Sequence, residues 1–98
     1  MKKVDLAEKF ELIDDHWNPR IAGELNGQHV KLAKLKGDFV WHKHDQEDEL
    51  FYVHKGQLKI ELRDTEVVLN PGEFFIVPRG VEHRPVAENE VEVMLFEP

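Results

Sequence analysis

The feature that most constrains the fold is the regular spacing of turn signals along the 98-residue chain. The runs between these signals have the length of β-strands. Asn26-Gly27, between two alternating runs, is the strongest signal because this pair favours the tight turn of a β-hairpin. The other predicted turns are Gly37-Asp38, Lys55-Gly56, Arg63-Asp64, Asn70-Pro71-Gly72, Arg79-Gly80 and Glu88-Asn89.

About nine short strands are predicted between these turns, a pattern typical of a β-sandwich or barrel. Asp5–Leu12 alone has a helical pattern, with Asp5 as the N-cap and Glu8 three residues further on. We therefore expect one all-β domain spanning residues 1–98, with a short N-terminal helix. The predicted strands are Ile21–Leu25, Val30–Leu35, Phe39–His44, Glu49–Val53, Leu58–Leu62, Glu66–Leu69, Phe74–Val77, His83–Val86 and Val91–Phe96.

Four potential metal ligands occupy positions that such a fold can bring together. His42 and His44 alternate on a predicted strand, so both imidazoles point to the same side. Glu49 begins the next strand, and His83 lies on a distant strand that only barrel closure brings near. Three imidazoles and one carboxylate suit one divalent transition metal ion, of Fe, Mn, Ni, Zn or Cu. This set leaves one or two coordination positions for water or a ligand.

The spacing of these residues among several glycines resembles two motifs of the cupin superfamily. Four residues separate Gly37 from His42 where the first motif usually has five, and Ala87 stands where the second commonly has Asn. The resemblance covers Gly37 to His83. It implies a double-stranded β-helix (jelly-roll) cupin barrel that holds a metal ion through the four residues named above. The motifs read Gly37-x4-His42-x-His44-x4-Glu49-x6-Gly56 and Gly72-x5-Pro78-x-Gly80-x2-His83.

The chain also resembles a group of short, stand-alone bacterial and archaeal cupins, most of which have no assigned reaction. The similarity is carried by the segment Asp48–Val53 and by Pro71-Gly72-Glu73 and the run from Pro78 to His83. Chains of that group often continue past the strand that ends here at Pro98, so a truncated form is one expectation.

Several other residues are predicted to serve roles outside the site. His16, His29 and His54 lie outside the motifs, and we predict that none of them is a metal ligand. The acidic segment 45–48 is interpreted as a solvated turn, or alternatively as a segment that attracts cations. Trp17 and Trp41 are predicted to serve packing or an interface rather than to bind a ligand.

Charge and composition limit which binding partners and which cellular location are expected for the chain. The chain has 13 basic and 20 acidic residues, a net charge of −7, and no cysteine. An acidic chain repels phosphate groups, so we expect no nucleic acid and no membrane as partners. The N-terminus lacks the apolar run of a signal peptide, and no apolar stretch approaches the roughly 20 residues of a membrane span. A cytoplasmic location is predicted.

Apolar residues are also predicted on the face that points away from the histidines. Either the N-terminal segment covers this outer face, or it forms the interface of a homodimer, and we favour the homodimer. The residues are Phe39, Trp41, Leu50, Tyr52, Met94 and Phe96.

The inward positions around the predicted site are apolar, which favours a small organic molecule as the ligand. No Arg or Lys is clearly aimed at the metal, although Lys34 has a suitable phase, and this argues against a sugar-phosphate isomerase. We therefore expect a metal-dependent oxygenase or isomerase, or alternatively a non-catalytic ligand-binding or metal-sensing module, or a metal-stabilised scaffold. The inward residues are Val40, Phe51, Val53, Leu58, Ile60, Leu62, Pro85, Val91, Val93 and Leu95.

Overall fold

The computed structural model describes all 98 residues of the chain, which form one short helix and seven strands. The predicted hairpin turn at Asn26-Gly27 is confirmed, since both residues have positive φ angles of 52° and 78°. The elements are α1 (Leu6–Glu11), β1 (Arg20–Leu25), β2 (Gln28–Asp38), β3 (Glu49–Lys55), β4 (Leu58–Leu62), β5 (Glu66–Leu69), β6 (Phe74–Val77) and β7 (His83–Glu97).

Every strand pair is antiparallel, and β7 connects the two parts of the sheet. The first half of β7 lies between β2 and β4, and its second half lies between β2 and β3. The main path runs β1-β2-β7-β3-β6, and β4 and β5 branch from β7. The sheet wraps around one apolar core and gives the jelly-roll barrel that the sequence predicts.

The turn predicted at Glu88-Asn89 is wrong, because β7 continues through it. β2 runs alongside β7 and pairs with it both before and after residues 88–90. Leu35 lies opposite Val91, and Gly37 lies opposite Ala87. Residues 88–90 therefore form a bulge opposite Lys36, and two predicted strands become one. The turn predicted at Gly37-Asp38 is also wrong, since both residues belong to β2. Gly37 adopts a φ of 86° beside this irregularity, a conformation that suits glycine.

The strand predicted at Phe39–His44 is also wrong. Phe39 donates its backbone N–H to the carbonyl of Pro85 over 3.0 Å. Pro85 has no N–H to donate in return, so the ladder cannot continue there. Regular pairing resumes only at an isolated bridge between His42 and His83.

The N-terminal helix covers part of the outer face. Asp5 is its N-cap, as predicted, and accepts a hydrogen bond from the backbone of Glu8 over 3.2 Å. Phe10 and Ile13 are buried against Leu32, and Met94 packs on the same cluster. No helix of the chain has the length and apolar character that crossing a membrane requires.

Gly56 is fixed by two independent constraints at the start of the β3–β4 turn. Its φ angle is 90°, a left-handed conformation that is costly for any residue with a Cβ. A Cβ placed there would also come within 2.8 Å of the Glu90 carbonyl oxygen, which belongs to the β7 bulge. Close approach of the turn to the bulge therefore requires glycine.

Candidate metal centre

The structure brings His42, His44, Glu49 and His83 into one cluster. His42 and His83 pair directly through the backbone: His42 N donates to His83 O over 3.1 Å, and His83 N donates to His42 O over 2.9 Å. This bridge places their ring centroids 4.3 Å apart. The backbone thus joins the two motifs that lie far apart in the sequence.

Two further hydrogen bonds fix the segment between His44 and Glu49. Gly80 donates its N–H to the carbonyl of His44 over 2.7 Å, and Arg79 donates its N–H to Asp48 Oδ1 over 2.8 Å. The acidic segment 45–48, which was expected to be a solvated turn, is therefore tied to the 78–80 turn through Asp48. These contacts fix the position of His44 relative to the start of β3.

For two of the histidines, the hydrogen-bond partner shows which ring nitrogen carries the proton. His42 Nδ1 lies 2.9 Å from Val40 O, and His83 Nδ1 lies 2.9 Å from Val81 O. A carbonyl only accepts, so each Nδ1 carries the proton and donates it. Each Nε2 is then left with a free lone pair, the arrangement that a metal-ligating histidine requires.

The potential ligand atoms of the four residues all lie within 4.8 Å of one another. Glu49 Oε1 is 3.5 Å from His44 Nε2 and 3.5 Å from His83 Nε2, separations too long for good hydrogen bonds. Glu49 Oε1 and His83 Nε2 are both buried without a hydrogen-bond partner. Such orphaned polar atoms are costly unless something satisfies them. A divalent cation bound between these atoms would satisfy both, so this donor set fits a metal ion.

The charges around the cluster favour a cation at its centre. Burial lowers the pKa of His42, which keeps that imidazole neutral and able to coordinate. Burial also acts against charge on His83, but the Glu49 carboxylate and the Val81 carbonyl raise its pKa. Burial acts to raise the pKa of Glu49, yet neighbouring side chains, above all His83, hold it below its ordinary value. Glu49 is thus a buried carboxylate that carries its charge.

Three residues of the cluster, His42, His44 and Glu49, line a pocket of about 440 Å³, within the usual range of small-molecule sites of about 300–1,000 Å³. Val40, Phe51, Pro85 and Leu95 line it, as predicted. The other predicted inward residues do not reach the pocket. Val53, Leu58, Ile60, Val91 and Val93 form the closed core, and Leu62 packs against it.

Five residues that line the pocket were not predicted to do so: Trp17, Pro19, Leu35, Phe39 and Glu97. Trp17 and Phe39 line the pocket, although Trp17 was expected to serve packing or an interface and Phe39 was placed on the outer face. Glu97 also lines it, as a second carboxylate. Glu97 has the same strand phase as Val91, Val93 and Leu95, so alternation on the last strand was a signal that could have found it.

Glu97 is held between Lys31 and Glu49. Its Oε1 accepts a hydrogen bond from Lys31 Nζ over 3.0 Å, and its side chain is only 13% exposed. Burial and the adjacent Glu49 carboxylate raise the pKa of Glu97 to about 7. Of the two neighbouring carboxyl groups, Glu97 is therefore the one that holds a proton.

The remaining histidines and Lys34 lie outside the cluster. His16 pairs with Glu90 over 2.7 Å, and Lys34 lies 4.0 Å from the same residue. His54 hydrogen-bonds Glu92 over 2.9 Å, and its ring stacks on Phe10. Neither Lys nor Arg is among the residues that line the pocket.

Comparison with known proteins agrees with this architecture. The sequence profile of the Cupin_2 family, described as "Cupin domain", matches residues 28–97, and the chain belongs to this family. The uncharacterized protein YdbB of Bacillus subtilis (strain 168) is 39% identical over 80 residues, which span 81% of this chain and 70% of that protein.

Two solved structures are similar along almost their whole length. A cupin-2 domain containing protein from Shewanella frigidimarina superposes with a TM-score of 0.96 at 43% identity, covering 97% of this chain and 93% of the other. Protein NMB1881 from Neisseria meningitidis superposes with a TM-score of 0.89 at 30% identity, covering 98% of each chain. These similarities support the jelly-roll fold described above.

Proposed function

We propose that this cupin binds a small, largely apolar organic molecule beside one divalent transition metal ion held by His42, His44, Glu49 and His83. The observation that carries the proposal is the pair of buried, unpartnered atoms, Glu49 Oε1 and His83 Nε2, at an apolar pocket. An ion bound there supplies Lewis acidity to a coordinated oxygen. Three neutral nitrogens and one carboxylate suit Fe, Mn, Ni, Zn or Cu, so the metal is not fixed by the donor set.

The chain's own residues define what the pocket accepts. Leu35, Phe51 and Leu95 give it apolar walls, which exclude water from around a bound molecule. Glu49 and Glu97 are its only carboxyl groups, and no Lys or Arg faces them from the lining. A phosphate or dicarboxylate would find no Lys or Arg in the lining to hold its charged oxygens, so a sugar phosphate is a poor ligand.

The reaction class that suits this arrangement is metal-dependent oxygenation or isomerisation. The alternative is a non-catalytic module that binds a ligand or senses a metal. It is favoured by one observation: apart from the four proposed ligands, Glu97 is the only titratable side chain in the lining. Few groups are therefore available to move protons during turnover.

Metal analysis of protein purified without chelator and without nickel affinity resin tests the metal site. About one ion per chain is expected, and a metal-free protein that binds none of the five candidate metals contradicts the proposal. Iron content with O₂ uptake on addition of small phenols or diketones would favour the oxygenase. Zinc content without turnover would favour the binding module. A large fall in melting temperature on chelation, with no ligand response, would favour a metal-stabilised scaffold.

A further inference from the structure

Two aromatic side chains stack on each other at the pocket. The ring centroids of Trp17 and Phe39 are 4.8 Å apart, with an angle of 17° between the planes. Phe39 also meets the ring of His42 edge-on, with centroids 5.2 Å apart and an interplanar angle of 88°. The pair, here called the aromatic wall, therefore reaches from the pocket lining to one of the proposed metal ligands.

The backbone holds Trp17 in a conformation that aromatic residues rarely adopt. Its φ angle is 60°, in the left-handed region that is unfavourable for a residue with a bulky side chain. Two hydrogen bonds to β2 fix it there: Trp17 N donates to Lys34 O, and Trp17 Nε1 donates to Lys36 O, each over 2.9 Å. Because both ends of the residue are anchored, its ring is pre-organised before a ligand arrives.

Part of the aromatic wall is left open. Phe39 is 38% exposed although its ring packs against that of the half-buried His42. Trp17 is half-buried, and its indole N–H is already bonded, so its ring offers only an apolar face. An exposed aromatic surface beside a pocket is typical of a ligand-binding surface.

We propose that the aromatic wall selects a flat, uncharged aromatic ring that carries a hydroxyl group. The ring would stack on an open face of the Trp17–Phe39 pair, and the hydroxyl oxygen would point toward the cluster of His42, His44, Glu49 and His83. The lining holds no Lys or Arg that would bind a ligand with several negative charges. The direction of the hydroxyl rests on the metal centre proposed above, whereas the preference for a flat ring does not.

Phenol and cyclohexanol test this proposal, since both carry one hydroxyl on a six-carbon ring and only phenol is flat and aromatic. We expect the zinc-loaded protein to bind phenol about five- to tenfold more tightly, as measured by ligand-observed NMR titration. Trp17→Leu and Phe39→Leu are each expected to remove most of this preference, and Trp17→Phe to keep part of it. Equal affinities in the unsubstituted protein, or no measurable binding of either compound, would overturn the proposal.

Trp41→Leu is the matched control. Trp41 lies beneath the guanidinium of Arg63, with 3.9 Å between Arg63 Cζ and the ring centroid, and does not line the pocket. This variant is expected to keep the phenol preference, and its loss would contradict the role of the aromatic wall. Circular dichroism and zinc content, measured for every variant, identify any that has not folded, and Trp17→Phe then serves as the test.

Repeating the titration without metal separates this proposal from the metal centre. A phenol preference in a protein that binds no metal would contradict the metal centre and support the aromatic wall. Stoichiometric metal binding without a phenol preference would contradict the aromatic wall alone.

Discussion

His42 and His83 exchange both of their backbone hydrogen bonds, over 3.1 and 2.9 Å, beyond the point where Pro85 interrupts the ladder between β2 and β7. The backbone therefore fixes the positions of these two imidazoles, and their side chains need not attract each other. Substitutions at the histidine side chains should leave this pairing in place. We therefore expect the fold to persist when the metal-ligating side chains are substituted.

The double substitution His42→Ala and His44→Ala removes two of the four proposed ligand side chains. We expect divalent metal content to fall from about one ion per chain to none, because the remaining pair offers too few donors for tight binding. The far-ultraviolet circular dichroism should remain that of a β protein. Metal analysis after equilibration with zinc measures the outcome.

The control for this experiment is His16→Ala with His29→Ala, since both residues lie outside the cluster and pair with glutamates. This protein should bind zinc as the unsubstituted chain does. Unchanged zinc content in the His42 and His44 variant would show that the metal site lies elsewhere.

The stability of the metal-free protein should decrease as the pH rises toward neutrality. The pKa of Glu97 is about 7 in the folded chain, against an ordinary value of 4.5 in the unfolded chain. The folded state therefore binds more protons between these values. The contribution of protonated Glu97 is complete below about pH 4.5 and is lost as the pH rises to about 7. The lost contribution is on the order of 3 kcal/mol.

Glu97→Gln should flatten this pH dependence, because an amide keeps its hydrogen atoms at every pH. Urea unfolding of chelated protein, followed from about pH 5 to about pH 8, measures the free energy of unfolding. Glu88→Gln, at an exposed position of the bulge, is the control and should keep the original dependence. An identical slope in the Glu97→Gln and unsubstituted proteins would contradict the prediction.

Gly56→Ala is expected to destabilise the protein by about 2–4 kcal/mol, because the new Cβ combines a left-handed backbone with a backbone clash. The oxygen it meets at 2.8 Å belongs to the main chain of Glu90 and cannot rotate away. Gly23→Ala is the matched control, since a Cβ there has no atom within 4 Å. The urea concentration at the midpoint of unfolding, measured for each variant, tests this prediction. Equal midpoints would show that the turn can move away from the bulge.

We propose that the chain forms a homodimer through the outer face at β6. Phe74 and Ile76 are 60% and 47% exposed, and they pair across the strands with Tyr52 and Leu50. The N-terminal helix covers Met94 and Leu32 and leaves this part of the face open. Contiguous exposed apolar residues are typical of an interface.

The substitution of Phe74 and Ile76 by Glu should convert the dimer to a monomer, as measured by light scattering after gel filtration. Val68→Glu, at an exposed apolar position of β5, is the control and should leave the mass unchanged. A monomeric unsubstituted chain would contradict the proposed dimer.

Alternation and turn spacing were sufficient to predict most strands and the grouping of the four site residues. They failed where a neighbouring strand overrode the local signal. Glu88-Asn89 is a good turn sequence, but the pairing of β2 with both halves of β7 turns it into a bulge. At Phe39, the missing N–H of Pro85, more than forty residues away in the sequence, ends the strand.

The aromatic wall illustrates a different limit. Trp17 lies in an irregular segment, so no periodicity indicates the direction of its ring. Its position depends on two hydrogen bonds to β2 carbonyls, and these are set by tertiary structure. Glu97, by contrast, follows the regular phase of its strand, but the predicted strand ends one residue earlier, at Phe96.

The bend of β7 also has a consequence for how this chain folds. His83 and Glu97, at the two ends of this 15-residue strand, both interact with Glu49. A straight strand of this length would hold its ends roughly 45 Å apart, at about 3.3 Å per residue. The two ends can meet at one side chain only after the strand has curled and the sheet has closed. Binding of a cation at the cluster should therefore occur late in folding. The rate of this binding would report how fast the barrel closes.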